Sequence, residues 1–186
     1  MKRIITCAVC LLLVLVLTAC TKNVTSNGNI ENLAIVNMAF DCTNPYEYAG
    51  IVDYIFVGTV EGIESIIIDD NYEHTDSIYK IHVDNNLKGE LAENITCSKL
   101  GGLKKDGTML LIVAETPNGD QIADSGLPEL GKQYVFSAYA QPDGSLSLSE
   151  IFDNREYNEG LLKEYMEYID NEIPFERDRF VSKYSK

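Results

Sequence analysis

The chain has 186 residues, a length at which one domain with its own hydrophobic core is expected. Hydrophobic residues make up 45% of the sequence and charged residues 24%, proportions that argue against an intrinsically disordered chain. The formal net charge is -14, and because so acidic a molecule repels phosphate backbones, nucleic acid is not expected as a partner.

The first twenty residues have the pattern of an export signal. Lys2 and Arg3 are followed by an apolar run over residues 4–17, which is shorter than the roughly 20 residues that a membrane-spanning helix needs. The junction Leu17-Thr18-Ala19-Cys20 resembles the bacterial lipobox. The resemblance implies that residues 1–19 are a lipoprotein signal peptide, removed before an acylated Cys20. The mature protein would then be anchored by lipid at the extracytoplasmic face of the cell membrane, and its net charge would be about -16, since Lys2 and Arg3 are lost.

Two cysteines, Cys42 and Cys97, remain outside the membrane once the signal is removed and Cys20 is acylated. In a compartment that is not reducing they could form one disulfide, or they could stay as two free, buried thiols. Neither lies in a Cys-x-x-Cys spacing, so the sequence does not favour a redox or zinc site.

Residues 20–32 are polar and predict a flexible tether that leads into a single domain over residues 33–186. Asn44 and Pro45 indicate the start of a short helix that runs to about Asp53. Near the C-terminus, residues 158–171 carry apolar side chains at helical spacing and predict an amphipathic helix.

Between these helices the sequence is typical of β-strands. Residues 54–68 predict one long strand with bends at Gly58 and Gly62, and residues 79–84 predict its antiparallel partner with Tyr79, Ile81 and Val83 on the inner face. Shorter strands are expected over residues 95–100 and 109–113. The Pro-Asp-Gly turn at residues 142–144 predicts a hairpin of residues 134–140 with 145–151.

Three stretches, residues 48–60 (YAGIVDYIFVGTV), 79–89 (YKIHVDNNLKG) and 131–148 (GKQYVFSAYAQPDGSLSL), resemble the netrin-like, or tissue-inhibitor-of-metalloproteinase-like, form of the OB-fold. The resemblance implies a mainly β (α+β) fold, a five- to six-stranded OB-like barrel with a short N-terminal helix and a C-terminal amphipathic helix. One common core is then expected, lined by Val57, Ile81, Val83, Val135 or Phe136, and Leu146 or Leu148. The family's inhibitors bind protease zinc through a free N-terminal cysteine, a mechanism that a lipid on Cys20 would prevent.

The turn over residues 69–74 is the only cluster of oxygen ligands that we weigh as a cation site. Asp69, Asp70 and Glu73 could offer oxygens to calcium, but the order of an EF-hand loop is missing. A solvated hairpin tip is the other interpretation, and we expect no metal site. His82 is expected to be a solvated residue on the polar face of its strand.

Eleven tyrosines and no tryptophan could supply either core packing or a binding groove for a peptide or a glycan. Those on elements that a barrel would bring together are Tyr46, Tyr48, Tyr54, Tyr72, Tyr79, Tyr134 and Tyr139. The sequence leaves the two roles open.

No sequence motif of a common enzyme class occurs, so we expect no cofactor and no catalytic residues. The leading hypothesis is a lipid-anchored extracytoplasmic domain that binds an unknown protein, peptide or envelope polymer. A structural or stress-protective envelope lipoprotein without a dedicated ligand is the alternative, and an unrecognised hydrolase is the third.

Overall fold

The computed structural model describes residues 32–69, 74–123 and 126–186. It is mainly β, with nine strands and two helices among these residues. In chain order they are β1 (Asn32–Asn37), α1 (Pro45–Ile51), β2 (Tyr54–Asp69), β3 (His74–Lys88), β4 (Asn94–Leu100), β5 (Gly102–Leu103), β6 (Met109–Glu115), β7 (Gln121–Ala123), β8 (Gln133–Ala140), β9 (Leu146–Leu148) and α2 (Glu159–Asp170). The predicted signal peptide and Cys20 lie outside the described residues.

Five strands form a closed ring in the order β2-β3-β4-β9-β8. All neighbours in the ring are antiparallel except β4 and β9, which run parallel with Cys97 opposite Leu146. The predicted long strand, its partner and the β8–β9 hairpin are therefore confirmed. Gly144 ends the hairpin turn with a φ of 78°, a left-handed conformation that glycine adopts without steric cost.

The interior of the ring is filled by aromatic and aliphatic side chains. Phe136 packs against three rings, with centroids 5.5 Å from Phe56, 5.7 Å from Tyr134 and 5.7 Å from Phe152. The other predicted core residues that share this interior are Ile81, Val83, Leu146 and Leu148.

The expected place of Val57 was wrong. Val57 and its cross-strand partner Val135 belong to a second hydrophobic cluster, which lies outside the ring and includes Leu161 of α2. Their neighbours Phe56 and Phe136 face the interior instead, because successive side chains of a strand point to opposite faces.

A second, four-stranded sheet was not predicted. In it β6 pairs with β1 in parallel and with β5 and β7 antiparallel. Strand β7 of this sheet is only three residues long. The second sheet packs closely against the ring at Gly102. A Cβ at this residue would lie 2.4 Å from the Ser77 hydroxyl oxygen, so this contact leaves no room for a side chain.

Both predicted helices are confirmed, and both start at an asparagine cap. The Asn44 side chain accepts a hydrogen bond from the Tyr46 N–H, and the Asn158 side chain accepts one from the Leu161 N–H. Helix α1 ends at Ile51, two residues before the expected end. Within the part of the chain that the structure describes, neither helix has the length and apolar character needed to span a membrane.

The C-terminal residues 174–186, which we call the strap, cross one end of the ring. Arg177 and Arg179 both pair with the buried carboxylate of Asp53, at 2.6 and 3.0 Å. Further along, the Lys183 N–H donates to the Gly144 carbonyl at 2.8 Å, and the Tyr184 hydroxyl is 2.7 Å from the Thr96 hydroxyl. The strap therefore ties α1, the β8–β9 turn and β4 together.

Candidate functional site

A cleft lies between the two helices and the segment that follows β9. It has a volume of about 280 Å³ and is lined by Cys42, Thr43, Pro45, Tyr48, Ile151, Phe152, Asp153, Arg155, Tyr165 and Tyr168. Asn44 caps α1, which contributes Pro45 and Tyr48, and Asn158 caps α2, which contributes Tyr165 and Tyr168. We call this feature the tyrosine cleft.

Two pairs of tyrosine rings pack within and beside the cleft. The centroids of Tyr168, which lines the cleft, and Tyr46, which lies beside it, are 5.8 Å apart with an interplanar angle of 89°, and those of Tyr165 and Tyr168 are 5.6 Å apart at 60°. Tilted rings at these distances are a favourable aromatic arrangement, so these contacts stabilise the position of Tyr168.

The tyrosine hydroxyls already have partners within the protein. Tyr48 donates to the Ile151 carbonyl at 2.9 Å, Tyr165 donates to Asp153 at 3.1 Å, and Tyr46 donates to Glu167 at 3.2 Å. Burial raises the pKa of Tyr48 to about 12, so its hydroxyl stays protonated and neutral. These hydroxyls are therefore already hydrogen-bonded within the protein, and the tyrosines contribute mainly aromatic surface to the lining.

Charged side chains lie at the rim of the cleft. Arg155 forms a fork with Asp153, with Nε 3.0 Å from Oδ1 and Nη2 2.7 Å from Oδ2, and its Nη1 reaches Glu164 at 2.8 Å. Burial alone would raise the pKa of Asp153, but the hydrogen bonds and charge of Arg155 outweigh it and lower that pKa. At neutral pH the rim thus carries one guanidinium shared by two carboxylates.

Cys42 lies in the wall of the cleft and Cys97 in the interior of the ring, and both are free and buried. They belong to different hydrophobic clusters, so the disulfide is not formed in this structure and the alternative of two free thiols describes it. Burial raises the pKa of both thiols, which keeps Cys42 a neutral lining group and not a thiolate nucleophile.

The remaining candidates from the sequence do not meet at the cleft. Asp70 and Glu73 lie outside the described residues, as does the side chain of Asp69, so the cation site stays untested. His82 is half-buried on β3, with Nε2 3.9 Å from Asp84 and 3.8 Å from Glu93. Over residues 32–69, 74–123 and 126–186, no cluster of three or more His, Cys, Asp or Glu side chains could hold a metal ion.

The seven tyrosines singled out in the sequence divide between the two roles. Tyr54, Tyr79 and Tyr134 fill the interior of the ring, whereas Tyr48 lines the cleft and Tyr46 packs beside it on the ring of Tyr168. Tyr139 is half-buried under the guanidinium of Arg177, 5.4 Å from its ring centroid. Tyr72 lies outside the described residues. The sequence did not indicate a role in the cleft for Tyr165 and Tyr168, which lie within the predicted helix over residues 158–171.

Comparison of the sequence with protein-family models and with curated proteins finds no match.

Proposed function

We propose that this chain is a lipid-anchored, extracytoplasmic binding domain built on an OB-like barrel of the netrin-like kind, and that the tyrosine cleft is its binding site. The strand order supports the barrel. Three consecutive antiparallel strands, β2, β3 and β4, are followed by β8, which returns to pair with β2, and this is the Greek-key order of an OB-fold barrel. The anchor rests on the lipobox at Leu17 to Cys20.

The observation that carries the binding function is the aromatic lining of the cleft, formed by Tyr48, Phe152, Tyr165 and Tyr168. A cleft of about 280 Å³ is at the small end of ligand sites, so it suits a few residues of an extended segment and not a large cofactor. Aromatic-lined grooves of this kind recognise proline-rich segments, whose rings enter between aromatic side chains. The net charge of -14 favours a basic segment over an acidic one. The ligand we propose is thus an extended, basic, proline-containing segment of another envelope protein.

An envelope polymer is the second candidate ligand, because sugar rings also stack on tyrosine faces. A glycan needs hydrogen-bonding groups as well, and in the cleft Tyr48 and Tyr165 direct their hydroxyls to acceptors of the protein itself. This favours the peptide. A structural lipoprotein or a hydrolase would not require a cleft lined by aromatic side chains.

The test is a titration of the full-length chain, purified in detergent, with two probes: a decaproline peptide flanked by lysines and a tetramer of N-acetylglucosamine. We expect the peptide to shift the amide resonances of residues 42–48 and 151–168, and Tyr168→Ala to weaken its binding about tenfold, as loss of one stacked ring predicts.

Met166→Ala is the control, because Met166 is exposed on the same helix and does not line the cleft. Binding of the sugar alone would favour the polymer. If neither probe shifts the cleft resonances, the cleft is not the binding site we propose.

A further inference from the structure

The β2–β3 hairpin extends beyond the ring. On its outer side β2 pairs with β8 only from Tyr54 to Thr59, and Val60 makes the last backbone hydrogen bonds there, with Gly131 and Lys132 at 2.8 and 3.0 Å. On the other side β3 continues to pair with β4. Among the described residues, β2 from residue 61 to 69 thus has a partner strand on one side only.

The two parts of this edge, residues 61–64 and residues 65–69, differ in how regularly they pair with β3. The register between β2 and β3 shifts between Val60 and Gly62 and between Ile63 and Ser65, and such bulges interrupt the regular spacing of an edge. From Ser65 to Asp69 the pairing with β3 is regular, with Ile66 opposite Ser77 and Ile67 opposite Asp76. We call residues 65–69 the free edge. Its length suits a short partner strand.

The free edge also exposes apolar side chains on both of its faces. Ile66 is 42% exposed and Ile67 52% exposed, and Ile63 just before them is 54% exposed. Natural edge strands usually carry charges or proline where they must stay single. Three exposed isoleucines beside a regular, unpaired backbone are instead the features of a surface that accepts another strand.

We propose that the free edge binds an extended strand of a partner protein by β-strand addition, and that this strand is apolar in the centre and basic at its ends. Glu61 and Glu64 precede the free edge, and the chain as a whole carries a net charge of -14, which gives charge complementarity to lysine or arginine. A second copy of the chain fits less well. An antiparallel pairing centred on Ile67 would bring Glu64 of one copy to the Asp69 end of the other, between molecules that each carry a net charge of -14.

The experiment uses the full-length chain in detergent and a synthetic peptide with alternating Val and Thr between terminal lysines. We expect the peptide to bind and to slow amide hydrogen exchange within residues 65–69 by about tenfold at the amides that face away from β3, because those amides become hydrogen-bonded. Two changes to the peptide should each weaken binding by about tenfold: methylation of alternate backbone nitrogens, and glutamates in place of the terminal lysines. The substitution Ile67→Lys in the protein should weaken binding by a similar factor.

Val181→Lys is the matched control, since Val181 is 75% exposed on the strap and should leave peptide binding unchanged. Equal binding of the methylated peptide would overturn strand addition, and equal binding of the glutamate peptide would overturn the basic partner. A dimer in sedimentation that Ile67→Lys abolishes would assign the free edge to a second copy and overturn the proposal. None of these outcomes depends on the tyrosine cleft, which Tyr168→Ala tests separately.

Discussion

Asp153 is the residue on which the charged rim of the tyrosine cleft depends. It accepts hydrogen bonds from Arg155 and from the Tyr165 hydroxyl, so one carboxylate connects the segment after β9 with α2. Because these contacts lower the pKa of Asp153 in the folded protein, the ionised carboxylate stabilises the fold. That stability is present above the pKa of an unfolded aspartate, about 3.9, and is lost as the pH falls through the lower folded value.

We therefore predict that Asp153→Asn lowers the free energy of unfolding by about 1 kcal/mol at pH 7, a modest value because Arg155 is half in solvent. Urea unfolding at pH 7 and at pH 3 measures the difference between variant and parent, which should shrink at the lower pH. Asp120→Asn, on an exposed loop, serves as the control and should stay within about 0.5 kcal/mol at both. A difference of equal size at both pH values would show that ionisation of Asp153 is not its source.

The strap is the element whose attachment rests on a few named contacts. Its two arginines share Asp53, which is buried and whose Oδ2 also accepts the Ala140 N–H at 2.9 Å. Immediately before the strap the chain also approaches α1 closely: a Cβ on Gly50 would lie 1.8 Å from the Ile173 carbonyl oxygen, so only glycine fits at that point of α1. The strap and α1 are thus one packed unit, held by charge pairing and by close contact.

Asp53→Asn should accordingly cost about 2 to 4 kcal/mol, since it leaves two partly buried guanidinium groups without their counter-charge. Amide hydrogen exchange over residues 177–186 should speed up in the same variant. Asp178→Asn, whose side chain is exposed on the strap itself, is the comparison and should leave both measurements near those of the parent. If exchange in the strap is unchanged by Asp53→Asn, the ion pairs do not hold it.

Most elements could be predicted from local patterns, whereas the contacts between distant elements could not. The caps at Asn44 and Asn158 and the turn at Gly144 involve neighbouring residues, so their chemistry is visible in the sequence. Strand β7 is three residues long, and β1 pairs in parallel with a strand more than seventy residues away, so periodicity carries little signal for the second sheet.

The candidate site likewise depends on contacts between distant elements that the sequence does not reveal. Tyr46 and Tyr168 meet across more than a hundred residues, and only packing of α1 against α2 brings their rings together. The buried position of Lys99 was also not predicted, for a different reason. It alternates with Ile95 and Cys97 on β4 and is fully buried, with Nζ donating to the Glu150 carbonyl at 3.2 Å. Because side chains alternate along a strand, Lys99 is expected on the same inward face as Cys97, whereas its charge favours a solvent-exposed position.

At the scale of the whole molecule, the ring encloses an aromatic interior, while its outer face packs against α2 at Val57 and Val135 and is exposed to solvent at Lys80. Phe136 lies at the centre of that interior, so Phe136→Ala should lower the free energy of unfolding by about 3 to 5 kcal/mol through the cavity it leaves. Lys80→Ala, on the outer face of β3, should cost no more than about 0.5 kcal/mol, because its pair with Glu64 is solvent-exposed. Thermal or urea unfolding compares the two. Similar losses in both variants would argue against a closed ring with this interior.

The central claim, that the tyrosine cleft binds a segment of an envelope protein, is tested most directly by photo-crosslinking in living cells. A benzophenone amino acid replaces Tyr168 in the cleft or, as the reference position, the exposed Leu130, which does not line the cleft. The account predicts one reproducible protein adduct from position 168, absent from position 130, with the crosslinked peptide basic and proline-containing. No adduct from position 168, or the same adducts from both positions, would contradict it.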